Sequence, residues 1–357
     1  MYSLDKILRD AAALGAADIF IVSGSPVSCR RGRGFTPLGE ERVLPDTSEA
    51  LIREIYAAAS RSIDRLLETG DDDFSFAVPQ LSRFRVSTYR QRGSLAAVIR
   101  VIPFGIPSAA EMNIPESVMG AADLTKGLVL VTGPAGSGKS TTLACIIDRI
   151  NRTRADHIVT LEEPIEYLFR NEKSIISQRE ISLDSESYIT ALRACLRQSP
   201  DVILLGEMRD YETIQTAMTA AETGHLVIST LHTVGAVNTI DRIIDVFPPA
   251  QQQQIRVQLS MVLRSVISQQ LVPAKDGGVL PAFEIMHLTG AVKNMIREAK
   301  THQIDSVIAA GANVGMRTMD QSLYQLAKEG RITADTAVRF SIHEESLMRR
   351  LEIDGLL

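Results

Sequence analysis

A chain of 357 residues with 45% hydrophobic and 23% charged side chains is too long for one simple core and has the balance of an ordinary globular protein. A net charge of −5 and a pI near 5.8 argue against bulk nucleic-acid binding, and the absence of Trp beside seven Tyr leaves little for a base-stacking groove. Cys29, Cys145 and Cys195 lie far apart and form no C-x-x-C pair, which argues against a zinc ribbon or disulfide framework and for a reducing compartment.

The N-terminus carries Asp5 and Asp10 where a secretory signal would be basic, and no apolar run approaches ~18 residues. The expected location is therefore cytoplasmic. Residues 3–14 have the spacing of a short amphipathic helix and are followed by an apolar run, Asp18 to Val22. Pro26 to Gly34 reads as a Gly/Arg turn region. Helices are expected near Thr47–Ala59, with Thr47 or Ser48 as N-cap, and near Arg61–Leu67. Phe74 to Val78, Arg83 to Arg90 and Ala96 to Ile102 have strand character, with Arg92-Gly93-Ser94 as the turn between the last two. Helices followed by strands over about 100 residues predict a small α+β domain, residues 1–103. Pro103, Gly105, Pro107 and Pro115 mark a linker over 104–116.

From residue 117 to 357 the pattern changes. Apolar runs at Leu128–Val131, Ile158–Leu161, Val202–Leu205 and Leu226–Ser229 alternate with helical stretches, as in an α/β domain with a largely parallel sheet. Ligands bind such sheets beyond the carboxyl ends of the strands. From about residue 250 the sequence reads as a helical C-terminal bundle.

The first of these runs ends in Gly133-Pro134-Ala135-Gly136-Ser137-Gly138-Lys139-Ser140, which fits G-x-x-x-x-G-K-[ST] at every fixed position. The glycines let backbone N–H groups turn inward around a phosphate, because no Cβ blocks the approach. Lys139 then reaches the outer phosphates, the Ser140 hydroxyl takes a Mg²⁺ position, and a helix from Thr141 onward points its N-terminus at the anion. The strand at Asp201–Leu205 closes on Glu207, where phosphoryl-transfer enzymes place the carboxylate that handles Mg²⁺ or orients water. Ile158 to Tyr167 ends in Glu162, Glu163 and Glu166, of which Glu166 is expected to face a cation or the attacking water. His225 and His232 bracket another apolar strand with no further metal ligand nearby, so a structural or phosphate-sensing role is expected for them at the site. Arg85 and Arg100 lie on the last two strands of the first domain. Such arginines are usually solvated edge charges, but in an ATPase they can stabilise charge on a γ-phosphate.

With these residues in hand, the chain resembles the type II/type IV secretion ATPase family over nearly its whole length, about residues 3–340. Four boxes of that family occur in order: GPAGSGKSTT, the acidic box LEEPIE, the Walker B box DVILLGEMRD and the histidine box AAETGHLVISTLHT. RFRVSTYRQRGSLAAVIRVIP matches the arginine-bearing segment of its N-terminal domain. Ala291 to Glu298, AVKNMIRE, resembles the motif of its pilus-retraction branch, with Lys293 and Met295 as conservative departures. Glu163 stands in place of the usual aspartate of the acidic box, and Ala135 in place of a threonine in the phosphate loop.

The resemblance implies a PAS-like N-terminal domain followed by a RecA-like P-loop ATPase domain, with ATP and Mg²⁺ between them and six subunits in a ring. By position it makes Glu207 the catalytic glutamate, Glu166 its acidic-box companion, His225 and His232 the histidine box, and Arg85 and Arg100 the arginines that approach nucleotide. Asn294 and Arg297 then transmit motion from a helix whose packed side is expected to carry Ala291, Met295 and either Val292 or Glu298. The implied function is ATP-driven pilus retraction, acting on an inner-membrane platform protein from the cytoplasmic side, with no nucleic-acid partner. Pilus assembly or type II secretion is the neighbouring alternative, although those branches carry a cysteine zinc site that this chain lacks. A catalytically silent, nucleotide-gated scaffold is the alternative of a different class.

Overall fold

The computed structural model describes residues 2–31, 34–102 and 105–357. The chain divides into two compact units, one of Met1–Gly105 with Glu166–Leu168 and one of Ile106–Ile165 with Phe169–Leu357. The domain boundary expected at residues 103 and 104 lies outside the described residues, as do residues 32 and 33 of the expected Gly/Arg turn.

The first unit runs α1 (Leu4–Ala13), β1 (Asp18–Ile21), β2 (Ser28–Arg31), β3 (Gly34–Pro37), α2 (Pro45–Ala58), α3 (Asp64–Thr69), β4 (Asp71–Val78), β5 (Ser82–Gln91) and β6 (Ser94–Ile102). Its six strands make an antiparallel sheet in the order β3-β2-β1-β6-β5-β4. In β5, Phe84, Val86 and Thr88 alternate inward while Arg85 and Ser87 face out, the period-2 pattern of a half-buried strand. Leu4, Ile7, Leu8 and Ala11 of α1 and Leu51, Ile52, Ile55 and Tyr56 of α2 supply the helical side of this core.

Three expectations need correction here. The region expected to be one turn contains the strands β2 and β3. Helix α2 begins at Pro45 with Leu44 at its N-cap, because proline presets the first helical φ. Ser48 is inside the helix, and its hydroxyl donates to the Leu95 carbonyl at 2.6 Å. Helix α3 starts at Asp64, and Arg61 lies ahead of it, paired with the buried Asp72 at 2.9 Å.

The second unit continues with α4 (Glu116–Met119), β7 (Gly127–Thr132), α5 (Lys139–Thr153), β8 (His157–Glu162), β9 (Ile175–Glu180), α6 (Tyr188–Cys195), β10 (Val202–Leu205), α7 (Tyr211–Glu222) and β11 (Leu226–Leu231). Then come α8 (Ala236–Asp245), α9 (Pro249–Val262), β12 (Leu263–Pro273), β13 (Val279–His287), α10 (Gly290–Arg297), α11 (Ile304–Ala310), α12 (Met319–Lys328), α13 (Ala334–Arg339) and α14 (Glu344–Ile353). Its seven strands are ordered β13-β12-β7-β11-β10-β8-β9, and all neighbours are parallel except β12 and β13.

Strands buried on both faces read as continuous apolar runs, as the four central strands do. Alternate residues serve opposite cores. Leu128, Leu130, Ile203, Leu205, Val227 and Leu231 pack with α6 to α11, whereas Val129, Val131, Val202, Leu204, Leu226 and Ile228 pack with α5. Each fully buried Leu, Ile or Val stabilises by roughly 1.5–3 kcal/mol relative to exposure. The sheet is thus the middle of three layers.

The C-terminal expectation is corrected as well. Helix α9 ends at Val262, and the chain re-enters the sheet as β12 beside β7, returning antiparallel as β13. The helical stretch begins only at α10, and α12 to α14 close a separate small core with Val272, Leu280 and Ala282 of the hairpin.

Candidate functional site

Strand β7 is wholly buried and delivers the glycine loop at its carboxyl end. Gly133, Gly136 and Gly138 adopt φ of 141°, 75° and 86°, conformations that side chains rarely take. A Cβ on Gly133 would stand 2.1 Å from the Gln269 carbonyl oxygen, and one on Gly138 would stand 2.9 Å from Gln269 Nε2. Helix α5 starts at Lys139, two residues earlier than expected, with Gly138 as its left-handed N-cap. The Lys139 ammonium donates to the Gly133 and Pro134 carbonyls, both at 2.9 Å, and so lies in the curl of the loop. Ser137 Oγ is buried and makes no hydrogen bond among the described residues. Thr142 Oγ1 donates to Gln269 Oε1 at 2.7 Å, which ties the first turn of α5 to β12.

A glycine loop curled around one cation, with a buried hydroxyl that lacks a partner among the described residues and the start of a 15-residue helix, has the chemistry to take phosphate groups. The hydroxyls of Ser140 and Thr141 open the same helix. Hard oxygen donors of this kind suit Mg²⁺ rather than a soft metal, and no cluster of three or more His, Cys, Asp or Glu among the described residues offers an all-protein metal site.

Glu207 follows β10, two strands from β7. The Thr230 hydroxyl donates to the Gly206 carbonyl at 2.5 Å, and Met208 N–H donates to the Thr230 carbonyl at 3.2 Å, so β11 holds the segment in place. The Glu207 side chain is 11% exposed, with Oε1 2.6 Å from Arg209 Nη2 and Oε2 3.6 Å from His232 Nε2. Burial, with Glu207, Glu163 and Glu162 nearby, pushes the Tyr188 phenol up. Its Oη lies so close to Gly206 that a Cβ there would be 2.8 Å away. Tyr188 and Gln269 lie in no motif read from the sequence, and Arg209, though inside the Walker B box, has no role assigned by it. The Asp276-Gly277-Gly278 turn between two apolar runs is the hairpin signal that could have placed Gln269 on a strand.

Glu162 accepts from the Thr160 hydroxyl at 2.6 Å, and Glu163 accepts from the Ser182 hydroxyl at 3.5 Å and precedes a cis proline. Glu166 is exposed in the loop after β8.

The two histidines separate. His232 stands at the carboxyl end of β11, beside Glu207. His225 precedes the same strand and its Nδ1 meets the Ala220 carbonyl at 3.0 Å, closing the end of α7. A six-residue strand spans roughly 20 Å, so His225 is at the opposite edge of the sheet, which corrects its placement at the site.

Arg85 and Arg100 are direct register partners on β5 and β6, both exposed on the same face of the first unit's sheet. Arg100 Nε donates to Asp18 Oδ1 at 2.9 Å, and Arg30 takes the other oxygen. Burial alone would raise the Asp18 carboxyl, but Arg30 and Arg100 together hold it below the usual range. Arg85 makes no ion pair among the described residues.

In α10 the buried positions are Val292 and Ile296, with Met295 partly covered, while Ala291 and Glu298 are exposed. The packed face is thus rotated from the expected one. Asn294 and Arg297 are exposed, and Arg297 Nη2 donates to Asn294 Oδ1 at 3.0 Å.

Comparison with known proteins supplies the context. Residues 2–303 match the family described as Type II/IV secretion system protein. The chain is 43% identical over 340 residues to the type IV pilus retraction ATPase PilT of Pseudomonas aeruginosa, covering 94% of this chain and 96% of that protein. It is 49% identical over 276 residues to a twitching motility protein of Neisseria gonorrhoeae, covering 77% and 74%. A crystal structure of the pilus retraction motor PilT with bound ADP superposes with a TM-score of 0.90 at 44% identity, covering 98% of this chain and 99% of that one.

Proposed function

The chain belongs to the type II/IV secretion system protein family, and from that premise we propose that it hydrolyses ATP in a homo-hexameric ring to power retraction of type IV pili. The observation that carries this reading is the pairing of a complete phosphate loop, curled around Lys139, with the nearly buried Glu207 at the end of a strand in the same sheet. PilT of Pseudomonas aeruginosa, a retraction ATPase by name, and the ADP-bound PilT motor support it over nearly the full chain.

In this reading the loop amides and Lys139 hold the β- and γ-phosphates, and Ser137 Oγ gains its missing partner there. Mg²⁺ would be held by the Ser140 hydroxyl, with Glu207 reaching it or its water, and supplies charge neutralisation on the phosphate oxygens. Glu207 orients the attacking water and accepts its proton. Arg209 fixes one oxygen of that carboxylate, which leaves the other turned toward His232 and the water. Glu166 is assigned as a second carboxylate for water, and Arg85 and Arg100 as donors to charge on the γ-phosphate. Asn294 and Arg297 offer an exposed polar face through which motion passes to a neighbour. The ring acts from the cytoplasm on a pilus platform protein of the inner membrane. No described helix is long and apolar enough to cross a membrane.

The test is steady-state phosphate release from ATP by the purified chain, with Glu207→Gln and Lys139→Ala beside it. Glu207→Gln keeps nucleotide binding but slows release by about 10²–10⁴-fold, the range of a lost general base. Lys139→Ala weakens binding of a fluorescent ATP analogue. Hydrolysis by Glu207→Gln at the parent rate refutes the assignment.

A further inference from the structure

Beside Glu207 the second unit holds a cleft of about 460 Å³ whose polar walls are Glu207, Arg209, Thr230, His232, Thr233 and Arg242. Ile214 of α7 and Val246 after α8 close its apolar side, and no residue of the phosphate loop lines it. Its place follows from the alternation along the strands. Ile203, Leu205 and Leu231 face the core shared with α7 and α8, so the chain leaving β10 and β11 opens the cleft on that face. Helix α5, which carries Lys139 and Ser140, packs on the other face. The cleft therefore opens on the face of the sheet opposite to the one on which α5 packs, with Glu207 in its wall.

The charge balance of the cleft favours an anion. Glu207 and Arg209 are 2.6 Å apart and neutralise each other. Arg242, on α8, adds a second guanidinium that makes no ion pair or side-chain hydrogen bond among the described residues. His232 is 58% exposed and can add a further donor. Thr230 and Thr233 already place their hydroxyls, on the Gly206 carbonyl at 2.5 Å and the Thr239 hydroxyl at 2.8 Å. The donors left over are thus guanidinium and imidazole N–H groups, the planar forks that match a tetrahedral oxyanion. A water takes about 30 Å³ of liquid volume, so the cleft has room for a phosphate with several waters. It is open rather than sealed, which suits an ion that must leave.

We propose that this cleft binds inorganic phosphate, receiving the product cleaved beside Glu207, with Arg242 as its cationic donor. The inference rests on the ATPase reading above. Because no residue of the phosphate loop lines the cleft, phosphate binds and leaves while ADP is still held. Release then has an order, phosphate first, that does not require the loop to open.

The test is equilibrium dialysis of ³²P-phosphate against the full chain with saturating ADP and Mg²⁺, for the parent, Arg242→Ala, Arg242→Lys and Arg242→Glu. The parent binds phosphate saturably, Arg242→Ala and Arg242→Glu weaken it by about tenfold or more, and Arg242→Lys falls between. ADP affinity, titrated with a fluorescent analogue, stays the same in all four. Arg242 is an exposed helix position where alanine favours the helix, and the lysine variant keeps the charge, so a folded comparison exists in either case. Absence of saturable phosphate binding by the parent overturns the proposal. So does equal phosphate affinity in parent, Arg242→Ala and Arg242→Glu, or loss of phosphate and ADP binding in parallel, which would place the phosphate on the loop. Phosphate release from ATP, measured on the same samples, separates the two readings. An active chain without the Arg242 effect retires only the cleft, and an inactive chain that binds phosphate through Arg242 retires only the ATPase.

Discussion

Gln269 is the residue on which the geometry of the phosphate loop most depends outside the loop itself. Ser268 is the register partner of Thr132, so Gln269 follows directly beside Gly133. Its carbonyl fills the space a Cβ on Gly133 would need, its Nε2 fills that of Gly138, and its Oε1 accepts from Thr142 at 2.7 Å. Both Gln269 and Thr142 are buried. Gln269→Leu keeps most of the volume and leaves the Thr142 hydroxyl without this acceptor, a loss of about 1–3 kcal/mol. Gln269→Ala adds a void at the base of the loop and raises the total to about 2–5 kcal/mol. Thr142→Val removes the other partner, and the double variant Gln269→Leu/Thr142→Val removes both, which is expected to be nearer neutral than the sum of the single changes. The assay is urea unfolding followed by far-UV circular dichroism, with ADP titrations on the same variants. Looser loops spend less time competent to bind, so ADP affinity falls with that fraction. Single-variant losses that add to the double-variant loss within about 0.5 kcal/mol would refute the bond as a brace.

Other outcomes follow from the same geometry. Arg85→Ala is expected to slow ATP turnover without changing ADP affinity, and unchanged turnover in both Arg85→Ala and Arg100→Ala sinks their assignment to the γ-phosphate. Arg100→Ala also releases Asp18, whose depressed pKa makes its ion pairs stabilising above the unfolded carboxylate range and lost as pH falls through the folded value. The parent should therefore outlast Arg100→Ala in neutral urea, with the gap closing in acid, whereas Arg85→Ala shows no such gap. Glu284 is buried in β13, accepting from Ala236 N–H at 2.7 Å and Met319 N–H at 3.4 Å. Burial first, then Asp305 and Asp320, push its carboxyl up. A raised pKa means stability present at low pH and lost as pH rises through the folded value, so Glu284→Gln should gain on the parent with increasing pH, and a pH-independent difference contradicts this. Asn294→Ala with Arg297→Ala should leave ATPase activity substantial and abolish pilus retraction in cells. Normal retraction removes the transmission role, and loss of the assembled ring shows a structural one.

Much of this protein was already determined by local sequence. The phosphate loop could be read residue by residue because its requirements are local: glycine where φ is positive, a lysine at fixed offset, and a helix start immediately after. The central strands were legible because strands buried on both faces need unbroken apolar runs. Glu207 could be placed from the strand that precedes it, and the alternation in β5 put Arg85 on an exposed face. Tertiary structure decided what depends on pairing across long separations. Strand β12 follows a glutamine-rich helix and carries Ser268, Gln269 and Gln270 at buried or half-buried positions, so its composition does not look like a core strand. It becomes one because β7 and β13 satisfy its backbone on both sides. His225 and His232 occupy one short segment, yet the direction of β11 sends them to opposite edges of the sheet. In α10 periodicity put Ala291 and Met295 on the packed side, but Val292 and Ile296 are the buried pair because the core shared with α9 lies on their side. Arg209 and Arg242 stand in different elements with nothing in their local sequence to join them, and only the folding of α8 against the ends of β10 and β11 brings both to one cleft beside Glu207.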